Sequence, residues 1–144
     1  MNDDVTPSPL ARAGMYVLAA LLGAIYGAVA TIGHRQSFTI GDVVVPWGLV
    51  LALAGVLALL VGIRLVAGGR WVAAAAAAGV IGMVALLTLP GPGGSVLVAG
   101  DVVGTVWAVG PALIAVLVVA WPELPQRRTA PVADLPARSV SPVL

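Results

Sequence analysis

The chain alternates between long apolar stretches and short polar connections. Four stretches of about 20 residues contain no charged side chain: 13–32, 43–63, 71–89 and 102–121. A helix of about 20 apolar residues crosses the roughly 30 Å hydrocarbon core of a bilayer. Alanine, glycine and leucine are abundant in these stretches and favour helices over the alternating strands of a membrane barrel. The pattern therefore predicts four transmembrane helices.

Short connections determine how these helices are expected to pack. Only residues 64–70 separate the second stretch from the third, so their helices should run antiparallel. We predict an all-α membrane protein whose four transmembrane helices form an antiparallel up-down bundle over residues 13–121. A short tail, 1–12, precedes it. The last segment, 122–144, is rich in proline, lacks aromatic residues, and is expected to be disordered.

The arginines predict the orientation in the membrane. Arg35 lies on one predicted face of the bundle, and all the other basic residues lie on the opposite face: Arg12, Arg64, Arg70, Arg127, Arg128 and Arg138. Cytoplasmic connections are enriched in Lys and Arg. We therefore expect both termini in the cytoplasm and the protein in the plasma (inner) membrane.

A cleaved signal peptide is an alternative interpretation of the first stretch. Ala28-Val29-Ala30 has the A-x-A pattern of a cleavage site. However, Asp3 and Asp4 oppose Arg12 before the apolar run, and the run exceeds the 7–15 residues typical of a signal sequence. These features favour a retained helix.

Composition excludes several classes of function. Hydrophobic residues make up 60% of the chain and charged residues 9%, and the mean hydropathy is +1.10. A soluble domain carries about 25% charged residues. The absence of cysteine excludes disulfides and thiolate sites, and a net charge of +1 gives no field to attract nucleic acid. We expect no catalytic residues, no cofactor and no metal.

Small residues recur at helical spacing. Gly23 and Gly27 form one GxxxG pattern, and Gly100 and Gly104 form another. Ala74, Ala78 and Gly82 place a small residue at every fourth position. Because small residues let helices approach closely in lipid, these positions predict tight packing and permit a homo-oligomer or a larger membrane complex.

Two aspartates beside the apolar stretches are the main candidates for chemistry. Asp42 and Asp101 each follow a glycine at the expected start of a helix, within a repeated Gly-Asp-Val-Val. Capping of the helix N-terminus explains both. The alternative is a shared cation or proton site. The repeat itself indicates either a duplicated hairpin or biased composition.

Pro111 and His34 are the remaining polar or helix-breaking candidates. Pro111 follows Gly110 inside the fourth stretch and should kink it, as in the broken helices of some transporters. His34 is the only histidine, lies in an expected loop beside Arg35, and has no second nitrogen or sulfur ligand for a metal. We expect His34 to be exposed to solvent.

One family resemblance follows from these segments. The run Ile40-Gly-Asp-Val-Val-Val-Pro-Trp-Gly48, then Arg64 and Arg70, then residues 88–107 resemble a family of small, uncharacterised four-helix membrane proteins of actinobacteria. The resemblance covers about residues 12–121. It implies four helices, but no activity and no site residues.

Two functional hypotheses follow. The first is a non-enzymatic structural or accessory component that acts by helix packing within a membrane complex. The second is a small transporter or pore that uses Asp42, Asp101 and the Gly110-Pro111 break. Small multidrug transporters resemble this chain in size, but they depend on a glutamate in the first helix, and 13–32 has no acidic residue.

Overall fold

The computed structural model describes residues 8–67, 69–89 and 100–122. Helices account for most of these residues, and one short hairpin follows the first helix. The elements are α1 (Pro9–Gly33), β1 (Phe38–Ile40), β2 (Val43–Val45), α2 (Trp47–Ala67), α3 (Arg70–Thr88) and α4 (Val102–Ala120). All four helices are long and apolar enough to cross a membrane. The prediction of four such helices is confirmed. Arg127, Arg128 and the proline-rich tail lie outside the described residues.

α1 begins earlier than its apolar stretch. Ser8 caps it by accepting a hydrogen bond from the backbone nitrogen of Ala11 at 3.2 Å, and Pro9 occupies the first turn. A proline is harmless there because the first turn has no partner for its N–H. Arg12 therefore lies inside α1 rather than in a preceding tail.

The predicted start of the second helix at Val43 is wrong. Val43–Val45 forms β2, which pairs antiparallel with β1, and α2 begins only at Trp47. The two-residue loop is Gly41-Asp42, and Gly41 has a φ of 62°. Glycine at the first loop position with positive φ suits a type II′ turn, whose twist matches that of the strands. β-branched residues on both sides of Gly-Asp make the strands more favourable than a longer helix.

α3 contacts each of the other three helices, and α1 most extensively. Its buried face is built largely from alanine and valine: Val72, Ala73, Ala76, Ala77, Val80 and Val84. Side chains this small allow the backbones of neighbouring helices to approach α3 closely.

The contact between α1 and α3 depends on three glycines. A Cβ on Gly23 would overlap the backbone oxygen of Ala76, and one on Gly27 would lie 3.0 Å from the backbone oxygen of Val80. From the other side, a Cβ on Gly79 would overlap the backbone oxygen of Ala20. Gly23 and Gly27 were candidates from the sequence, whereas Gly79 was not.

Other predicted packing positions lie elsewhere. Gly82 has nothing within 4 Å of a Cβ built on it, and Ala78 is exposed, so the Ala74-Ala78-Gly82 stripe faces away from the core. Gly100 is exposed and precedes α4, which differs from the expected packing role. Gly104 is buried in the first turn of α4.

α4 runs from Val102 to Ala120 without interruption at Gly110-Pro111. Pro111 is fully buried, and Gly110 lies against the side chain of Leu53 on α2. Proline removes one backbone hydrogen bond from a helix, and packing against neighbouring helices compensates for this in membrane proteins. The helix is therefore continuous through Gly110-Pro111, and the kink expected there stays a prediction.

Much of the outside of the molecule is apolar. Only 17–33% of the most apolar part of each helix is buried within the chain. Leu18, Ile25, Val50 and Leu113 are among many large apolar side chains that are more than half exposed. Such a surface is stable in lipid and would aggregate in water.

We predict that Gly23→Ala destabilises the fold, whereas Gly82→Ala does not. The added methyl group at Gly23 would push α1 away from α3, at a cost of about 1–3 kcal/mol. The same change at Gly82 meets no atom and should leave stability unchanged or raise it by up to ~1 kcal/mol through helix propensity. Unfolding in mixed detergent micelles, followed by circular dichroism, measures both. An equal loss of stability in the two variants would contradict the role of Gly23 in the contact between α1 and α3.

Candidate functional site

Polar contacts gather where α1 ends and where α2 and α4 begin. The backbone nitrogen of Gly48 donates to the oxygen of Gln36 at 2.9 Å, and Gln36 donates to Gly33 at 3.1 Å. These bonds hold the start of α2 against the end of α1. We call this region, which carries β1 and β2, the hairpin end.

A buried polar cluster joins α1 to α4 at the hairpin end. The indole Nε1 of Trp107 donates to Thr31 Oγ1 at 3.1 Å, and Thr31 Oγ1 donates to the Gly27 carbonyl at 2.7 Å. The ring of His34 stacks on that of Trp107, with centroids 5.5 Å apart and planes 18° apart. All three side chains are almost completely buried. We call Thr31, His34 and Trp107 the latch.

The prediction that His34 is exposed is wrong, because His34 is fully buried. The prediction rested on the small number of possible metal ligands, which says nothing about burial. Trp107, the residue that covers His34, is distant in sequence. The polar Thr31 one turn before His34 was the only local signal for a buried cluster.

The two ring nitrogens of His34 have different surroundings. Nδ1 lies 2.6 Å from the backbone oxygen of Thr31. Because a carbonyl oxygen only accepts, Nδ1 carries the proton. Nε2 is buried and has no hydrogen-bond partner among the described residues. Buried polar atoms are nearly always paired, so this nitrogen is an exception.

Asp101 has two roles at the start of α4. Its Oδ1 accepts from the backbone nitrogen of Gly104 at 2.8 Å, which caps the helix, and its Oδ2 accepts from Arg35 at 2.7 Å. The hydrogen bond from Arg35, followed by that from Gly104, holds the pKa of Asp101 below its ordinary value. Asp101 therefore ties the start of α4 to the residues that follow α1.

Asp42 differs from its sequence counterpart. It occupies the hairpin turn, is exposed, and does not start a helix, so the predicted cap at Asp42 is wrong. Within the described residues, no hydrogen bond or ion pair joins Asp42 to Asp101. The repeated Gly-Asp-Val-Val thus forms a turn in one copy and a helix start in the other.

At the opposite end, Arg64 binds the last turn of α4. Its guanidinium donates to the backbone oxygens of Val118 and Trp121. These carbonyls belong to the last turn of the helix and its cap, where helical partners run out and a cation is favoured by the helix dipole. Arg70 lies nearby in sequence, but its guanidinium stacks over the ring of Trp71 at 5.6 Å. We call this region the Arg64 end.

Between the two ends, the side of the molecule formed by α1 and α2 carries shallow apolar grooves. One, of about 330 Å³, is lined by residues such as Leu18, Ala19 and Ile63. Tyr26 crosses this side by donating to the backbone oxygen of Ala52 at 2.9 Å, and its hydroxyl rests on Gly55. The grooves present no charged group to a ligand.

The described residues contain no group of three His, Asp or Glu side chains close enough to hold a metal ion. No protein-family profile, curated protein or solved structure matches the chain significantly. The resemblance to four-helix actinobacterial membrane proteins stays a prediction.

We predict that Arg64→Gln lowers the free energy of unfolding by about 1.5–3 kcal/mol, because charged hydrogen bonds to the end of α4 are lost. Arg70→Gln is the matched control, since it removes one positive charge from the same connection. It should cost only about 0.5–1 kcal/mol, the value of an exposed cation–π contact. Chemical denaturation in detergent compares the two variants. A larger loss at Arg70 would show that total charge, rather than the contact with α4, matters.

Proposed function

We propose that this protein is a non-enzymatic accessory component of the plasma membrane that acts by packing its helices against other membrane helices. Partner helices, either a second copy of the chain or another protein, would cover part of its apolar surface. The observation that carries the proposal is the stripe of small residues on the outer face of α3.

This outer stripe consists of Ala74, Ala78 and Gly82. Ala78 and Gly82 are exposed, and no atom lies within 4 Å of a Cβ built on Gly82. Small residues four apart form the contact surface at which membrane helices approach each other. Within the chain, Gly23, Gly27 and Gly79 already fill that role between α1 and α3. The outer stripe repeats the same chemistry on a surface with no partner among the described residues.

The polar groups inside the helices also support an accessory role. Tyr26, Thr31 and Thr88 each donate to a backbone oxygen of the chain. Asp101 is engaged by Arg35 and by the cap of α4. Asp42 lies in the hairpin turn and Asp101 caps α4, so each carboxylate has a local structural role.

We further propose an antiparallel up-down bundle with both termini in the cytoplasm. Contacts support this: the end of α1 and the starts of α2 and α4 meet at the hairpin end, whereas Arg64 of α2 binds the end of α4. Arg12, Arg64 and Arg70 would then lie on the cytoplasmic face.

Reporter fusions test this orientation. Alkaline phosphatase fused after Leu144 should be inactive, because the enzyme folds only outside the cytoplasm. The same reporter fused after Gly41, in the hairpin turn, should be active and serves as the control. Activity of the fusion at Leu144 would overturn the proposed orientation.

Site-directed photocrosslinking in native membranes tests the accessory role. A benzophenone amino acid at Ala78 should yield a discrete crosslinked species, and Gly82→Leu should abolish it by filling the stripe without disturbing the fold. The control probe is at Ala108, an exposed position on α4. Absence of any discrete product at Ala78, or equal products at Ala78 and Ala108, would contradict the proposal.

A further inference from the structure

The latch links α1 to α4. The backbone of α4 lies mainly against α2 and α3, and the side chains of Thr31 and Trp107 form a hydrogen bond between α1 and α4 at the hairpin end. Thr31 and His34 contribute from α1 and the residue that follows it, and Trp107 contributes from α4. These side chains are therefore in direct contact across the two helices.

The surroundings of His34 determine which nitrogen of the neutral ring carries the proton. The Thr31 oxygen fixes the proton on Nδ1, so Nε2 of the neutral ring is a bare acceptor. A second proton would place an N–H at Nε2, where no acceptor lies among the described residues. It would also place a full charge in a buried position, which is unfavourable unless the charge is paired.

The charged groups around the latch offer His34 no compensation. Arg35 follows it in sequence and is itself positive, while Asp101 is engaged by Arg35. Asp42 lies in the exposed hairpin turn. The helices α2 and α3 carry charged residues only at Arg64 and Arg70, both away from the hairpin end, and α4 carries none. The tyrosine nearest in sequence, Tyr26, is bonded to Ala52.

We propose that His34 is a proton-binding site, and that binding a proton at Nε2 releases the imidazole from Trp107 and opens the contact between α1 and α4. Histidine is the side chain that changes charge between about pH 5 and 8. The indole face attracts a cation, but stacking leaves the new N–H without an acceptor. Moving the ring toward water gives the new N–H an acceptor and removes the charge from its buried position.

Asp101 does not account for such a response. Arg35 lowers the pKa of Asp101, so the carboxylate stays ionised throughout the range in which histidine titrates. A transition that persists in Asp101→Asn and disappears in His34→Phe is therefore assigned to His34.

The test uses the full-length protein in lipid nanodiscs and two independent signals. His34 is the only histidine, so ¹⁵N-histidine NMR reports its protonation without assignment. Trp47, Trp71 and Trp121 are all exposed and can be replaced by Phe, which leaves Trp107 as the only tryptophan.

At pH 7.5 we expect a proton on Nδ1 alone and little quenching of Trp107 by acrylamide. Between pH 7.5 and 4.5 we expect a doubly protonated ring and at least a threefold rise in the quenching constant, with one common midpoint.

Two variants distinguish a pH response of His34 from a pH response of the neighbouring Asp101. His34→Phe keeps an aromatic ring against Trp107 but cannot titrate, so quenching should stay low at every pH. Asp101→Asn keeps a good helix cap but removes the carboxylate, and the transition should persist. Protonation without any change in Trp107, no protonation down to pH 4.5, or loss of the transition in Asp101→Asn would each overturn the proposal. If His34→Phe does not fold, the paired signals of the unmodified latch still decide. The outcome is independent of whether a partner helix binds the outer stripe.

Discussion

Close approach of the α1 and α3 backbones is the constraint on which the rest of the structure depends. In lipid, apolar side chains gain nothing by leaving their surroundings, so helices associate only where packing is tight or polar groups pair. Gly23 and Gly27 on α1 and Gly79 on α3 remove the side chains that would keep the two backbones apart. The alanine-rich face of α3 extends this arrangement to α2 and α4. α3 is central because it is the helix with the smallest side chains.

α4 is positioned in a different way. It contains no charged residue, and its ends are held by side chains from other parts of the chain. Arg64 of α2 binds the carbonyls at its C-terminus, and Arg35 binds the aspartate that caps its N-terminus. Helix ends expose unpaired backbone groups, which are most costly near lipid. Arg64, Arg35 and Asp101 thus act at the ends of α4, where backbone groups have no hydrogen-bond partner within the helix.

The helices were predictable from the sequence because their signal is a long absence of charge, which local composition reveals directly. Gly23 and Gly27 were predictable as contact positions for the same local reason. Which way the Ala74-Ala78-Gly82 stripe faces was not predictable. Helical periodicity identifies the residues that share a face, but not what packs against that face. The latch was missed because its partners, Thr31 and Trp107, are 76 residues apart. The hairpin did have a local signal, Gly-Asp between β-branched residues, which the apolar run concealed.

Among the described residues, His34 is the buried polar side chain that is only half satisfied. Thr31 and Trp107 have hydrogen-bond partners, whereas Nε2 of His34 has none in the described part of the chain. An apolar ring could stack on Trp107 without leaving a buried nitrogen unpaired, although it could not donate to the Thr31 oxygen as Nδ1 does. The free-energy cost of burying Nε2 without a hydrogen-bond partner is explained by a role for the doubly protonated state of His34. That state differs from the first by one proton, and the difference acts on the residues that link α1 to α4.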